Sequence, residues 1–219
     1  DSLLVGHTTT GTLSSALRST GVGLDALDAI TQADDTTAVG FSAGSAITTG
    51  GTNTFIGSYA GVTTSTQNSN TGIGFSALRL NAATHNTAIG YTSSYNNSGG
   101  QYNTALGSQA LEGVSGNDHD YNTAIGYKSN EVLTTGDYNI TLGANSGDNL
   151  TTGSGNIIIG TGDAAAADSA RTFKVISYDG SSTTNHIISD SSGNMTLAAD
   201  LTIGDDLLLD SDSAVLKFG

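Results

Sequence analysis

A six-residue sequence, NTAIGY, occurs at residues 86–91 and again, unchanged, at residues 122–127. Variants of it recur along the chain, and their glycines are spaced by 16, 17 or 19 residues. A fixed short period of this kind is typical of proteins that stack one structural unit on the next. Seven clear copies have Gly57, Gly74, Gly90, Gly107, Gly126, Gly143 and Gly160, and three weaker copies have Gly40, Gly23 and Gly6.

An aliphatic residue precedes every one of these glycines, and a threonine usually lies two residues before the aliphatic residue. Alternation in a short strand places both columns on one face, with asparagine, a small residue and glycine on the other. We expect the aliphatic face to point inward as the spine of the fold, because each buried side chain of this size contributes ~1.5–3 kcal/mol. The aliphatic column comprises Val5, Val22, Val39, Ile56, Ile73, Ile89, Leu106, Ile125, Leu142 and Ile159.

An asparagine opens the strand in seven of the units. Asparagine tolerates turn dihedral angles, and its amide can hydrogen-bond to the equivalent amide of the next unit. We therefore place this column at the bend that enters the strand. The glycine that ends the strand supplies either a positive φ or space for close backbone approach. The asparagines are Asn53, Asn70, Asn86, Asn103, Asn122, Asn139 and Asn156.

These columns predict an all-β fold, a parallel β-roll or β-solenoid of ten coils of about 17 residues in residues 1–162. Each coil should contain the strand, a turn and a second short strand. At ~4.8 Å per coil the rod would be roughly 50 Å long. Residues 163–170 are small and read as a linker, at most one helical turn. Residues 171–219 contain several short strand patterns and form a second β module, shaft-like or, alternatively, a compact sandwich.

A coil with one large apolar position buries little surface alone. Packing of several identical chains side by side would remedy this, and a closed cyclic arrangement leaves no open edge. We expect a parallel homotrimer.

The NTAIGY-type units are similar to the head repeats of trimeric autotransporter adhesins. They resemble still more the repeats of tail-fibre and other virion appendage proteins of bacteriophages. The C-terminal sequence GNMTLAADLTIGDDLLLDSDSAVLKFG is similar to the shaft segments that follow such repeats. The resemblance covers residues 1–162 and about 171–219, and the 17-residue period favours the phage proteins. It implies a homotrimer, an elongated shape and a role in attachment.

Composition excludes several classes of function. The chain has 219 residues, 20 acidic and six basic, with a formal charge of −14, so it lacks the basic face that nucleic-acid binding requires. No apolar run is long enough to span a bilayer, so we expect no membrane insertion. Cysteine is absent, which excludes disulfides and thiolate sites. Because the chain begins at Asp1 and stops in a strand pattern, we expect a fragment or a processed product.

Few residues are candidates for a metal-binding or nucleotide-binding site. His7, His85, His119 and His186 are not paired at metal-ligand spacing. Asp118, His119 and Asp120 lie in the one 19-residue coil, which we expect to bulge as a solvated loop rather than to hold a metal. Asp205, Asp206, Asp210 and Asp212 fit no EF-hand spacing and read as a solvated acidic face. GVGLDA at residues 21–26 resembles a dinucleotide loop only superficially, since the repeat explains its glycines.

We therefore expect no catalytic residue, no cofactor and no metal site. Ice binding by the threonine column is set aside because that face should point inward. Most of the tyrosines are explained by packing between coils, although they would also suit a glycan-binding surface. These tyrosines are Tyr59, Tyr91, Tyr95, Tyr102, Tyr121, Tyr127 and Tyr138.

The sequence is interpreted as a non-enzymatic fibre segment of a bacteriophage virion, located extracellularly and involved in host attachment. Its expected partners are copies of itself, other virion proteins and a host-surface glycan or outer-membrane receptor. The alternatives are a trimeric adhesin of the bacterial surface or a glycan-binding module, and less favoured is a polysaccharide depolymerase.

Overall fold

The structure is a computed structural model that describes residues 2–6, 15–114 and 116–197. It confirms the all-β solenoid. The described residues contain no helix, and 13 strands form one sheet in sequence order. The strands are β1 (Leu3–Val5), β2 (Thr20–Val22), β3 (Thr37–Val39), β4 (Thr54–Ile56), β5 (Thr71–Ile73), β6 (Thr87–Ile89), β7 (Thr104–Leu106), β8 (Thr123–Ile125), β9 (Ile140–Leu142), β10 (Ile157–Ile159), β11 (Phe173–Tyr178), β12 (Thr183–Ser189) and β13 (Met195–Leu197).

Strands β1 to β10 pair in parallel, one strand per coil, and equivalent positions of the repeat face each other. Thr54 pairs with Thr71 and Ile56 with Ile73. The same register holds across the longest coil, where Thr104 pairs with Thr123. The period of the sequence is therefore the period of the structure.

The expected second strand of each coil does not form in the described residues. That part of the coil consists of turns, and many of its residues have positive φ, including Ser42 (φ 53°) and Tyr59 (φ 62°). Such angles are incompatible with a strand. Backbone hydrogen bonds nevertheless continue from coil to coil, as from Leu27 N–H to the Ala43 carbonyl at 3.1 Å. The turns thus stack as regularly as the strands do.

The core lies on the opposite face of the strands from the one expected. The middle residue of the strand is buried in nearly every coil, for example Ala38, Ala88 and Ala124, whereas the aliphatic column is half-buried or exposed. Large side chains from the turns fill the interior, so little space remains beneath the strand. These fully buried side chains are Leu27, Ile30, Ile47, Leu78, Leu111, Leu133 and Leu150. The predicted interior spine is wrong, and its residues lie on the outside of the single chain.

Phe55 in β4 is the largest buried side chain. Its ring occupies space that neighbouring glycines leave free. A Cβ on Gly61 would overlap the Phe55 ring, and one on Gly44 would lie 3.3 Å from it. The interior is therefore close-packed, and one large residue requires small ones around it.

Residues 163–170, predicted as a linker, lie along the path of a coil. The Thr151 N–H donates to the Ala167 carbonyl at 2.9 Å, and Ala164 is buried. Strand β11 then pairs in parallel with β10 and antiparallel with β12, and β12 pairs antiparallel with β13. Residues 198–219 of the predicted second β module (171–219) lie outside the described residues. The division into domains at residue 162 stays a prediction.

Candidate functional site

The outward face of β1 to β10 carries two parallel rows of side chains, which we name the threonine–aliphatic face. One row is the threonine column, preceded by Leu3 and continued by Ile140 and Ile157. The threonines are Thr20, Thr37, Thr54, Thr71, Thr87, Thr104 and Thr123. The other row is the aliphatic column. Leu106 is 44% exposed and Ile56 is 40% exposed. Exposed apolar side chains are common individually, but a continuous row along a rod is typical of an interaction surface.

Neither row of this face contains an ionisable residue. The rows repeat at the strand spacing of ~4.8 Å and lie roughly 7 Å apart along the strand. The face is thus a regular, uncharged strip of threonine and aliphatic side chains in a chain whose formal charge is −14.

The asparagine column lies at the bend before each strand, as predicted, and its side chains point into the coil. All seven are at most 2% exposed. The Oδ1 of each of the first six accepts the backbone N–H of the next asparagine at 2.9–3.0 Å, and the Oδ1 of Asn156 accepts the Thr172 N–H at 3.1 Å. From Asn86 onward each Oδ1 also accepts from the next Nδ2. The prediction of amides bonded from coil to coil is confirmed.

The glycine column has both of the properties that the sequence left as alternatives, a positive φ and close backbone approach. In Gly40 φ is 135°, and a Cβ there would lie 2.6 Å from the carbonyl carbon of Gly57. The positive φ and the close approach recur at Gly57, Gly74, Gly90, Gly107, Gly126 and Gly143. Asparagine and glycine columns are therefore structural elements that hold one coil against the next, and they show no catalytic arrangement.

A row of aromatic rings lies just before the asparagine column. Its tyrosines pack from coil to coil, as predicted, whereas the position of His85 in the same row was not predicted. The rings of His85, Tyr102, Tyr121 and Tyr138 stack in succession, with centroids 4.9–5.0 Å apart. All four residues have positive φ. The sequence contains a signal for this row, because each of the four residues directly precedes an asparagine of the repeat.

The structure corrects part of the prediction for the 19-residue coil. Val114, Gly116 and Asp118 are exposed, as expected of a solvated loop, whereas Asn117 and His119 are buried. Asn117 Nδ2 lies 3.0 Å from His119 Nε2, and His119 Nδ1 has no hydrogen-bond partner. Burial lowers the pKa of His119 by disfavouring the imidazolium. Asp118 and Asp120 do not share a pocket with it, since their carboxylates accept backbone N–H groups or lie at the surface.

The remaining candidates do not converge. His85 and His186 lie on different parts of the chain, and His7 and Asp205, Asp206, Asp210 and Asp212 fall outside the described residues. Among the described residues no three His, Cys, Asp or Glu side chains form a group that could hold a metal ion. The same part of the chain has no helix long and apolar enough to cross a membrane.

The most informative functional feature is therefore the threonine–aliphatic face. Comparisons with protein-family models, with curated proteins and with solved structures found no match to this chain.

Proposed function

We propose that the chain is a structural, non-catalytic segment of a homotrimeric fibre, in which the threonine–aliphatic face of each copy packs against the other copies. The observation that carries the proposal is the exposure of the aliphatic column, which places ten apolar residues in a row on the outside of one chain.

Charge supports a second copy as the occupant of this face. Two chains that each carry a formal charge of −14 repel one another, so they associate most readily through a surface without charges. The threonine–aliphatic face has none. The side chains of this face are equally spaced from strand to strand. Parallel copies in register therefore place each strand beside the same strand of the other copies along the whole rod.

A parallel trimer of solenoids is an elongated, stiff object that suits an appendage. On this basis, together with the resemblance of its repeats, we assign the chain to a bacteriophage tail fibre or similar virion appendage involved in host attachment. An adhesin of the bacterial surface is the alternative setting.

Native mass spectrometry of residues 1–219 tests the trimer. Three chains of 21.9 kDa give about 66 kDa. Replacing Leu106 by Asp should convert this species into smaller ones, because a charge buried between copies finds no partner. Thr66→Asp adds the same charge at an exposed position away from the face and should leave the trimer intact. A stable, cooperatively folding monomer of the unmodified chain would overturn the proposal.

Ice binding is a second candidate, because the threonine column points outward rather than into the core. It forms one row at regular spacing, beside the aliphatic column, on an uncharged face. Measurement of thermal hysteresis together with chain stoichiometry separates the two functions, since a trimer covers the face that ice would contact. Thermal hysteresis by a monomer, lost in Thr87→Asp, would favour ice binding.

A further inference from the structure

Charge is distributed very unevenly along the rod. Residues 36–111, which contain β3 to β7, include no Asp or Glu, whereas five acidic residues precede this segment and fifteen follow it. Arg79 is its only Lys or Arg. This segment of an acidic chain therefore has no negative charge and one positive charge, and we name it the acid-free band.

Arg79 lies between two tyrosine rings within this band. Its guanidinium carbon is 5.2 Å from the centroid of Tyr59 and 5.6 Å from that of Tyr95. Its Nη1 donates to the Tyr95 hydroxyl at 2.9 Å. These contacts hold the guanidinium in one orientation at the surface, and arginine is well suited to such stacking.

No carboxylate of the described residues pairs with Arg79. By contrast, Arg18 pairs with Asp35 at 2.5 Å and Lys128 with Glu131 at 2.9 Å. The Nε of Arg79 is buried without a hydrogen-bond acceptor. Glu112 occupies the equivalent position two coils away, roughly 10 Å along the rod, which is about a Debye length in physiological salt. The described part of the chain thus leaves this cation unneutralised.

Exposed aromatic rings continue the surface beside Arg79. Tyr59 contacts Phe41 and Phe75 edge to face, at centroid distances of 5.1 and 6.0 Å, and Phe75 stacks on Tyr91 at 5.5 Å. Phe75 is 46% exposed and Tyr91 is 55% exposed. Phe41, Phe75 and Tyr91 each follow the glycine of their coil directly, so they lie beyond the end of the strand.

We propose that Arg79, Tyr59, Tyr95, Phe75 and Tyr91 form a binding site for a carboxylate-bearing glycan. The apolar face of a sugar ring packs on an exposed aromatic ring, while the guanidinium binds the carboxylate by charge-assisted hydrogen bonds. The strand edges within the band are already paired with neighbouring coils, so an extended peptide has no free edge to join. The acidic ends of the rod confine an anionic ligand to the acid-free band.

This site goes beyond the proposed structural role and does not depend on the trimer, since all its residues come from one chain. Isothermal titration with a hexamer of galacturonic acid, and with a neutral hexamer of galactose, tests it. We expect the acidic hexamer to bind more tightly, and Arg79→Gln to weaken it by about tenfold or more. Arg18→Gln removes an equal charge outside the band and should change the affinity by less than about twofold.

Tyr91→Ser provides an independent variant, because this exposed ring can be removed without opening the core, and it should weaken both hexamers. Circular dichroism verifies that each variant folds. Absence of binding by the acidic hexamer, or equal losses in Arg79→Gln and Arg18→Gln, would overturn the proposal. A glutamate hexamer that binds as tightly as the acidic sugar, with no effect of Tyr91→Ser, would replace the glycan by an acidic peptide.

Discussion

The side-chain oxygen of Asn103 accepts two hydrogen bonds from Asn122, from its backbone N–H at 2.9 Å and from its Nδ2 at 3.2 Å. Nineteen residues separate the two asparagines, whereas most neighbours in the column are 17 apart. The longest coil therefore closes on the same amide-to-amide contact as the others. The asparagine column, rather than the length of the coil, sets the position of each strand.

Replacing Asn122 by Ala should lower the free energy of unfolding by about 3 kcal/mol, because it leaves several buried hydrogen-bonding groups without partners. These groups include the carbonyls of Asp120 and Gly136, both 3.0 Å from Nδ2. Thermal unfolding followed by circular dichroism measures the change. The exposed amide of Gln101 is the control, and Gln101→Ala should cost less than about 1 kcal/mol. Equal losses in both variants would contradict the role of the ladder.

Replacing Gly40 by Ala should cost about 3–5 kcal/mol, because the new Cβ combines a disfavoured φ with a clash against the backbone of Gly57. Gly116 separates the two effects, since its φ is 85° but a Cβ at this position would have no atom within 4 Å. Gly116→Ala should therefore cost only ~1–2 kcal/mol. Denaturant unfolding of both proteins gives the comparison, and similar losses would show that the close approach contributes nothing.

The period, the asparagine ladder and the glycine column were all predictable, because each needs only one residue type at a fixed position. Which face of each strand is buried was not predictable. Alternation shows that Thr104 and Leu106 share a face and that Ala105 faces the other way, but it does not show which face is interior. In this coil Leu111 fills the interior from the turn side, so only the small Ala105 fits beneath the strand. Packing of the tyrosines between coils was predictable, but the positive φ of Tyr102, Tyr121 and Tyr138 was not, because a non-glycine residue rarely adopts it.

Acidification should destabilise the chain through His119. Burial lowers its pKa in the folded state, so below the unfolded value of about 6.5 the unfolded chain binds more protons. The contribution of His119 to the free energy of unfolding is complete above that pH and is lost as the pH falls below it. The difference in melting temperature between the unmodified chain and His119→Gln should therefore shrink between pH 7.5 and pH 5. A constant difference would show that His119 does not titrate with unfolding.

Asp148 should have the opposite pH dependence. A hydrogen bond with Asp163, and secondarily burial, raises its pKa to about 6. Because the folded value exceeds the unfolded value of about 3.9, its stabilising effect is complete below that pH and is lost as the pH rises through about 6. Asp148→Asn should then raise the melting temperature at pH 7.5 more than at pH 4. Asp168→Asn, which removes an exposed charge, is the control and should show no such difference.

The stacked tyrosines should stabilise the coils they connect. Tyr121 stacks between Tyr102 and Tyr138, and each such pair is worth ~0.5–1.5 kcal/mol. Tyr121→Asn keeps a residue that tolerates positive φ while removing both stacks, so the loss reports on the rings. Tyr127, whose ring stacks on no other aromatic ring in the described part of the chain, is the matched control. Chemical denaturation should give a larger loss for Tyr121→Asn than for Tyr127→Asn.

The exposed stretch of the 19-residue coil has a practical consequence. Additional residues enter this coil near Val114 and Gly116, while the strands on either side remain in register. Length is thus tolerated on the turn side and is fixed on the strand side by the asparagine and glycine columns. A foreign epitope inserted between residues 113 and 117 would therefore be displayed at a fixed position along the rod, and the spacing from one coil to the next would not change.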